Sequence, residues 1–173
     1  MTRPELPSET FYGLGIAPKL LDRLDALGFK HPTPIQHQAI PIATAGDDMI
    51  GIAQTGTGKT LAFALPMIQQ ISARGKMGLV LLPTRELAVQ VEETFRKIAG
   101  SLGLRTAILI GGVNINPQTK QLRAKPHVVV ATPGRLIDHV EQKNISLDRV
   151  GVLVLDEADR MLDMGFAPQL KRI

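Results

Sequence analysis

The chain has 173 residues, 44% hydrophobic and 21% charged, and its 20 Lys and Arg against 16 Asp and Glu give a formal net charge of +4. That length buries a sizeable core, and the small basic excess permits a polyanionic partner without requiring one. With no cysteine there is no disulfide framework or thiolate metal site. With no apolar run near membrane-spanning length and no leader, the chain reads as soluble and cytoplasmic. Aromatics at 3% exclude broad base-stacking platforms.

The opening "MTRPELPSET" is polar with two prolines and is expected to be loose. Ile16, Leu20, Leu24 and Leu27 then mark one face of a short helix, and Gly28 follows where a C-terminal glycine belongs. The prolines of "FKHPTPIQHQAIPIATAG" impose extended or turn geometry before a helix starting near Pro34.

After Gly46 come five short apolar runs: "DMIGIA", "MGLVLL", "RTAILI", "HVVVA" and "VGVLVLD". Segments of helical spacing separate them. The clearest carries Leu87, Val91, Phe95 and Ile98, with Thr84 placed to cap it. Apolar strands alternating with helices predict an α/β fold: a mostly parallel sheet with helices on both faces. Ligands of such sheets bind beyond the C-terminal strand ends, so the loops after these runs are where chemistry is expected. Pro66 falls inside the helix after the first run, where it removes a hydrogen bond and is expected to kink it.

"AQTGTGKT" follows the first run and opens a helix. Gly56 and Gly58 allow a tight turn with N–H groups directed inward. Lys59 supplies a point charge for terminal phosphates and Thr60 a hydroxyl for Mg²⁺. The pattern G-x-x-x-x-G-K-[ST] is met except that Ala53 takes the first glycine position; Gln54, Thr55 and Thr57 complete the loop. The alternative is a glycine-rich turn with an incidental lysine.

The last run drives straight into Asp156 and Glu157. Burying ionised carboxylates is costly unless a cation or partner meets them. Beside a phosphate-binding loop, Asp156 reads as a Mg²⁺ ligand, through a coordinated water, and Glu157 as the group that polarises the attacking water. Capping of the next helix is the other reading of both acids.

"GFKHPTPIQ", "AQTGTGKT", "PTRELA", "ATPGR" and "DEAD" occur in that order, and with them the chain resembles the first RecA-like domain of the DEAD-box RNA helicases. The resemblance implies a nucleotide-binding half of an ATP-dependent RNA helicase, in which ATP and Mg²⁺ drive local unwinding or remodelling of RNA. It divides the chain into an N-terminal extension and adenine-recognition segment over 1–46, packed on the core, and a RecA-like ATP-binding core over 47–173. By the resemblance Gln36 reads the adenine edge, Thr33 supports that segment and Phe29 packs on the adenine face. Phe11 resembles the motif's upstream aromatic, with a plain core role as the alternative. Asp159 would tie the ATP site to a later Ser-Ala-Thr motif.

The RNA side follows from the other strand-end loops. Thr84 and Arg85, Gly111 and Gly112, and Thr132, Pro133, Gly134 and Arg135 form a track for sugar and phosphate that carries no base preference. Taken singly, each is a capped helix start, and Arg85 or Arg135 a solvated or structurally paired charge. The family's sheet continues beyond "FAPQLKRI" and a second RecA-like domain supplies arginines to the phosphoryl group, so this stretch alone is expected to bind ATP or ADP weakly with little turnover, and to expose a sheet edge. An ATP-gated RNA clamp and a DNA translocase are the competing readings. Lys59, Asp156 and Glu157 together argue against the first and "GFKHPTPIQ" against the second.

Overall fold

The computed structural model describes residues 10–173. Of the ten opening residues expected to be loose, the first nine lie outside the described residues. The chain divides into two compact units, one running through Gln70 and the other Ile71–Ile173.

In the first unit, α1 (Pro18–Ala26) buries Leu20 and Leu24 and ends as its glycine signalled. Gly28 takes φ +80°, and the Phe29 N–H donates back to the Leu24 carbonyl over 3.0 Å. Helix α2 (Pro34–Ala45) starts on Pro34 and stops at the left-handed Gly46. Helix α3 (Lys59–Arg74) opens directly from the glycine loop. Its Gln69 accepts from the Ala17 N–H at 2.8 Å and donates to the Gly15 carbonyl at 2.9 Å, which fixes the entry to α1.

The second unit is a parallel four-stranded sheet of β1 (Met77–Leu81), β2 (Thr106–Leu109), β3 (Val128–Ala131) and β4 (Val150–Leu155), ordered β2-β3-β1-β4. Leu81 faces both Ala131 and Leu155 in register, so these strands end level. The β1–β4 register shifts between Met77 and Gly78. Gly151 lies there because a Cβ at that point would approach the Lys76 side chain to 2.5 Å.

Alternate residues of the strands, Leu79, Leu81, Leu109, Val129 and Ala131, form one buried layer with Leu122, Leu136 and Met161. These come from α5 (Ile115–Arg123), α6 (Pro133–Glu141) and α7 (Ala158–Asp163). Helix α4 (Arg85–Ala99) packs on β2 and β3. Its buried stripe is Ala88, Val91, Phe95 and Ile98, so Ala88 takes the place expected of Leu87, which is only half-buried. The short α8 (Ala167–Leu170) meets α6.

One expected strand is not formed. "DMIGIA" carries no regular structure, and Ile50 and Ile52 are both 93% exposed. An apolar run becomes a strand only when a neighbour completes its ladder, and among the described residues this run has none. At the sheet's β4 edge, Leu153 and Leu155 are exposed. Among the described residues no helix is long and apolar enough to cross a membrane.

Candidate nucleotide and nucleic-acid sites

The glycine loop and the Gln36 segment lie together in the first unit. Gly56 and Gly58 have φ of +81° and +87°, which is why both are glycine. Ala53 has no positive φ, so the departure from the strict pattern costs the backbone nothing. The Lys59 ammonium donates to the Ala53 carbonyl at 2.9 Å, and the Thr57 hydroxyl to the Gln54 carbonyl at 2.6 Å. Lysine thus closes the loop on itself through a neutral acceptor.

Gln36 is tied at both ends of its amide. Its Oε1 accepts from the Thr33 N–H at 2.9 Å, and its Nε2 donates to the Gly58 carbonyl at 3.0 Å. A Cβ on Gly58 would collide with that amide nitrogen and lie 3.3 Å from Thr33 Oγ1. The Thr33 hydroxyl is buried without a hydrogen-bond partner. The two bonds fix which way the amide faces, and each of its atoms keeps one further valence, an N–H and a lone pair. Phe29 is 39% exposed while Phe11 is 3% exposed, so the Phe29 ring is accessible and Phe11 is a core residue.

In the second unit, the Asp156 N–H donates to the Leu81 carbonyl at 3.0 Å, extending the ladder one residue past β4. Its carboxylate accepts from the Glu157 N–H at 3.1 Å. Glu157 occupies the left-handed region at φ +53°, ψ +46° and starts α7. Such a conformation costs a side-chain-bearing residue roughly 1–2 kcal/mol, and Lys125 and Lys143 share its positive φ. The Glu157 carboxylate pairs with Arg160 at 3.0 Å. Asp159 is exposed. Among the described residues no group of three or more His, Asp or Glu side chains could hold a metal ion.

Six of the eight residues expected on the RNA track line one groove of about 510 Å³: Thr84, Arg85, Gly111, Thr132, Gly134 and Arg135. The level strand ends bring these loops together. Thr84 caps α4 weakly, accepting from the Leu87 N–H at 3.4 Å. Arg85 is exposed and its guanidinium lies against Gly112, where a Cβ would collide with it. Pro133 is the buried first residue of α6 and does not line the groove.

Arg135 lines the groove but is structurally paired, the other reading of its charge. Its side chain is 12% exposed, donates to the Val113 carbonyl at 3.1 Å and pairs with Asp138 at 3.3 Å. It therefore braces the glycine turn. Pro83 and Glu86 of "PTRELA" also line the groove, with Asp138 and Phe166, which had no signal in the sequence. Two acids temper the basic character, so an anion here depends on Arg85 and on the free N–H groups opening α4 and α6.

A buried polar chain runs beneath this groove. His139 is fully buried and Gln118 nearly so. Burial holds the His139 imidazole below the usual histidine range, Arg135 adds to this, and Asp138 opposes it.

The profile of the DEAD/DEAH box helicase family matches residues 33–173. The chain is 51% identical over 175 residues to the ATP-dependent rRNA helicase RRP3 of Pyricularia oryzae, covering 99% of this chain and 32% of that protein. It is 49% identical to RRP3 of Candida albicans, over 98% of this chain and 32% of the relative. The RNA helicase Prp28 from Chaetomium thermophilum, solved bound to ADP, is similar at a TM-score of 0.89 and 40% identity, over 99% of this chain and 44% of that one. A hypothetical ATP-dependent RNA helicase from Sulfolobus tokodaii gives 0.83 and 36%, over 89% and 45%. The chain spans about a third of the length of the curated relatives it matches.

Proposed function

We propose that this chain, which belongs to the DEAD/DEAH box helicase family, is the nucleotide-binding half of an ATP-dependent RNA helicase. In that role ATP binding and hydrolysis are coupled to local unwinding of RNA duplexes or remodelling of RNA–protein complexes. The carrying observation is the Gln36 amide, held by Thr33 and by the Gly58 carbonyl of the phosphate loop.

With its amide fixed, Gln36 offers adenine an acceptor for the 6-amino group and a donor for the adjacent ring nitrogen. Guanine places a carbonyl where the acceptor sits, and two acceptors repel. Phe29 covers the base and Thr33 holds the segment. The N–H groups of the 53–60 loop take the phosphates. Lys59 leaves the Ala53 carbonyl for a terminal phosphate oxygen, a neutral partner exchanged for a charged one. Thr60, after the glycine loop, and Asp156, at the end of β4, each carry an oxygen donor of the kind that suits Mg²⁺, which when bound would neutralise charge on the phosphates. Glu157 is the base that orients and polarises water. Its carboxylate is held by Arg160 at 3.0 Å, which fixes where it points.

RNA is taken in the groove at the strand ends, by Arg85, the turn at Gly111 and Gly112, and the starts of α4 and α6. Phosphate and sugar contacts of this kind position a strand without reading bases. A second RecA-like domain supplies the arginines that complete phosphoryl transfer, worth about 10³ to 10⁵ in rate. The relatives' names make ribosomal RNA the first substrate to test. The experiment is steady-state ATP hydrolysis by the full-length protein with and without RNA. Stimulation by RNA and not by DNA of the same sequence is expected; turnover indifferent to RNA would overturn the proposal.

A further inference from the structure

The strand ladder on the groove side ends with the Thr132 N–H donating to the Leu109 carbonyl at 3.0 Å. The next carbonyl, Ile110 O, has passed the end of β2 and is met instead by Gln118 Nε2 at 2.9 Å. Gln118 Oε1 faces His139 Nε2 at 3.3 Å, and His139 Nδ1 faces Asn144 Nδ2 at 3.2 Å. An amide nitrogen only donates, so Nδ1 must be the accepting nitrogen and the ring proton sits on Nε2. Every link then runs one way, from Asn144 to His139 to Gln118 to Ile110. The Asn144 amide nitrogen also donates to Gln142 at 3.2 Å, which agrees with that assignment.

An apolar pair of the same shape would fill this space but leave the Ile110 carbonyl without its donor. What the polar chain adds is a directional hold on one carbonyl, immediately before Gly111. At the other end of the same turn Arg135 holds the Val113 carbonyl at 3.1 Å. The turn is thus pinned at both ends by side chains of α5 and α6, and Arg85 lies across Gly112 between them.

We infer that Gln118 and His139 are positioning residues for RNA: their buried relay sets the height of the Gly111–Gly112 turn against the groove, and so the fit of the sugar-phosphate backbone. This rests on the RNA reading of that groove. Neither side chain touches the RNA in this arrangement.

The test uses the full-length protein, a labelled single-stranded oligoribonucleotide and three variants. Gln118→Leu removes the relay. Gln118→Glu keeps an acceptor for His139 but turns an oxygen toward Ile110. Arg85→Ala is the comparison, since it touches the groove directly. Both Gln118 variants are expected to weaken RNA binding about fivefold, the scale of one lost hydrogen bond, with the KM for ATP unmoved. RNA binding at the wild-type level in both, beside a loss in Arg85→Ala, would overturn the inference alone. No loss in any of the three would overturn the RNA reading and this inference with it. Equal loss of ATP and RNA binding would reduce Gln118 to a packing residue. Nitrogen-15 NMR of the wild type checks the relay independently of any variant. The His139 ring is expected to show its proton on Nε2, and a proton on Nδ1 would contradict the chain of donors.

Discussion

Gln36 and Gly58, twenty-two positions apart, meet through a 3.0 Å hydrogen bond from the glutamine amide to the glycine carbonyl. The side chain proposed to read the base is thereby fastened to the glycine turn proposed to take the phosphates. Gly58 serves this contact twice, by its φ of +87° and by having no Cβ to strike the amide. Gly56 shares the positive φ but faces open space. Alanine at either position therefore meets backbone strain, of order 1–3 kcal/mol. Gly58→Ala must in addition displace Gln36. Chemical denaturation is expected to show the larger loss for Gly58→Ala, and only that variant should also lose selectivity for adenine.

Arg85 and Arg135 stand in equivalent places after their strands, yet one is exposed and the other is 12% exposed and doubly engaged. Arg85→Ala should weaken RNA binding and leave thermal stability within about 0.5 kcal/mol, as for a surface change. Arg135→Ala should cost roughly 1–3 kcal/mol of stability, because the Val113 carbonyl loses a charged donor. Calorimetric melting beside an RNA titration separates the two.

Glu157 holds a left-handed conformation that glycine adopts without strain. Its ion pair with the half-exposed Arg160 is worth little in water. Glu157→Gly is expected to melt no lower than wild type while ATP turnover disappears. A protein that melts clearly lower would show that Glu157 is held there for stability.

Two histidines set an acid-side limit. Burial lowers the affinity of His139 for a proton, with Arg135 adding and Asp138 opposing; burial likewise lowers that of His127, helped by Arg105 and Arg149. The His127 Nδ1 accepts from the Arg105 N–H at 3.0 Å, a bond that protonation there removes. The unfolded chain, with ordinary histidines near 6.5, binds protons more readily than the folded one, so stability falls as pH drops below that value. Above it the contribution is complete. Melting between pH 7.5 and 5.5 is expected to show the midpoint falling on the acid side, and NMR titration to place both imidazoles below 6.5.

Much of this was legible in the sequence because the causes are local. Positive φ at Gly28, Gly56 and Gly58, the cap at Thr84 and four of the five strands follow from spacing and residue type. The gathering of the strand-end loops around one groove is legible because parallel strands that end level must bring together the residues after them. What escaped were relations between distant side chains. Nothing around Arg135 announces that its charge is consumed by Val113 and Asp138, and a buried glutamine and histidine twenty-one positions apart carry no periodic signal. "DMIGIA" has the composition of a strand, but a strand requires a partner that composition does not supply.

The central claim is that Gln36, anchored to the phosphate loop, makes this chain select adenine. Isothermal titration of ATP and GTP into the full-length protein and its Gln36→Ala variant measures that selection directly. We expect ATP to bind the wild type at least tenfold more tightly than GTP, about 1.4 kcal/mol, and the variant to bind both alike. Equal affinities in the wild type, or a preference that survives in Gln36→Ala, would contradict it.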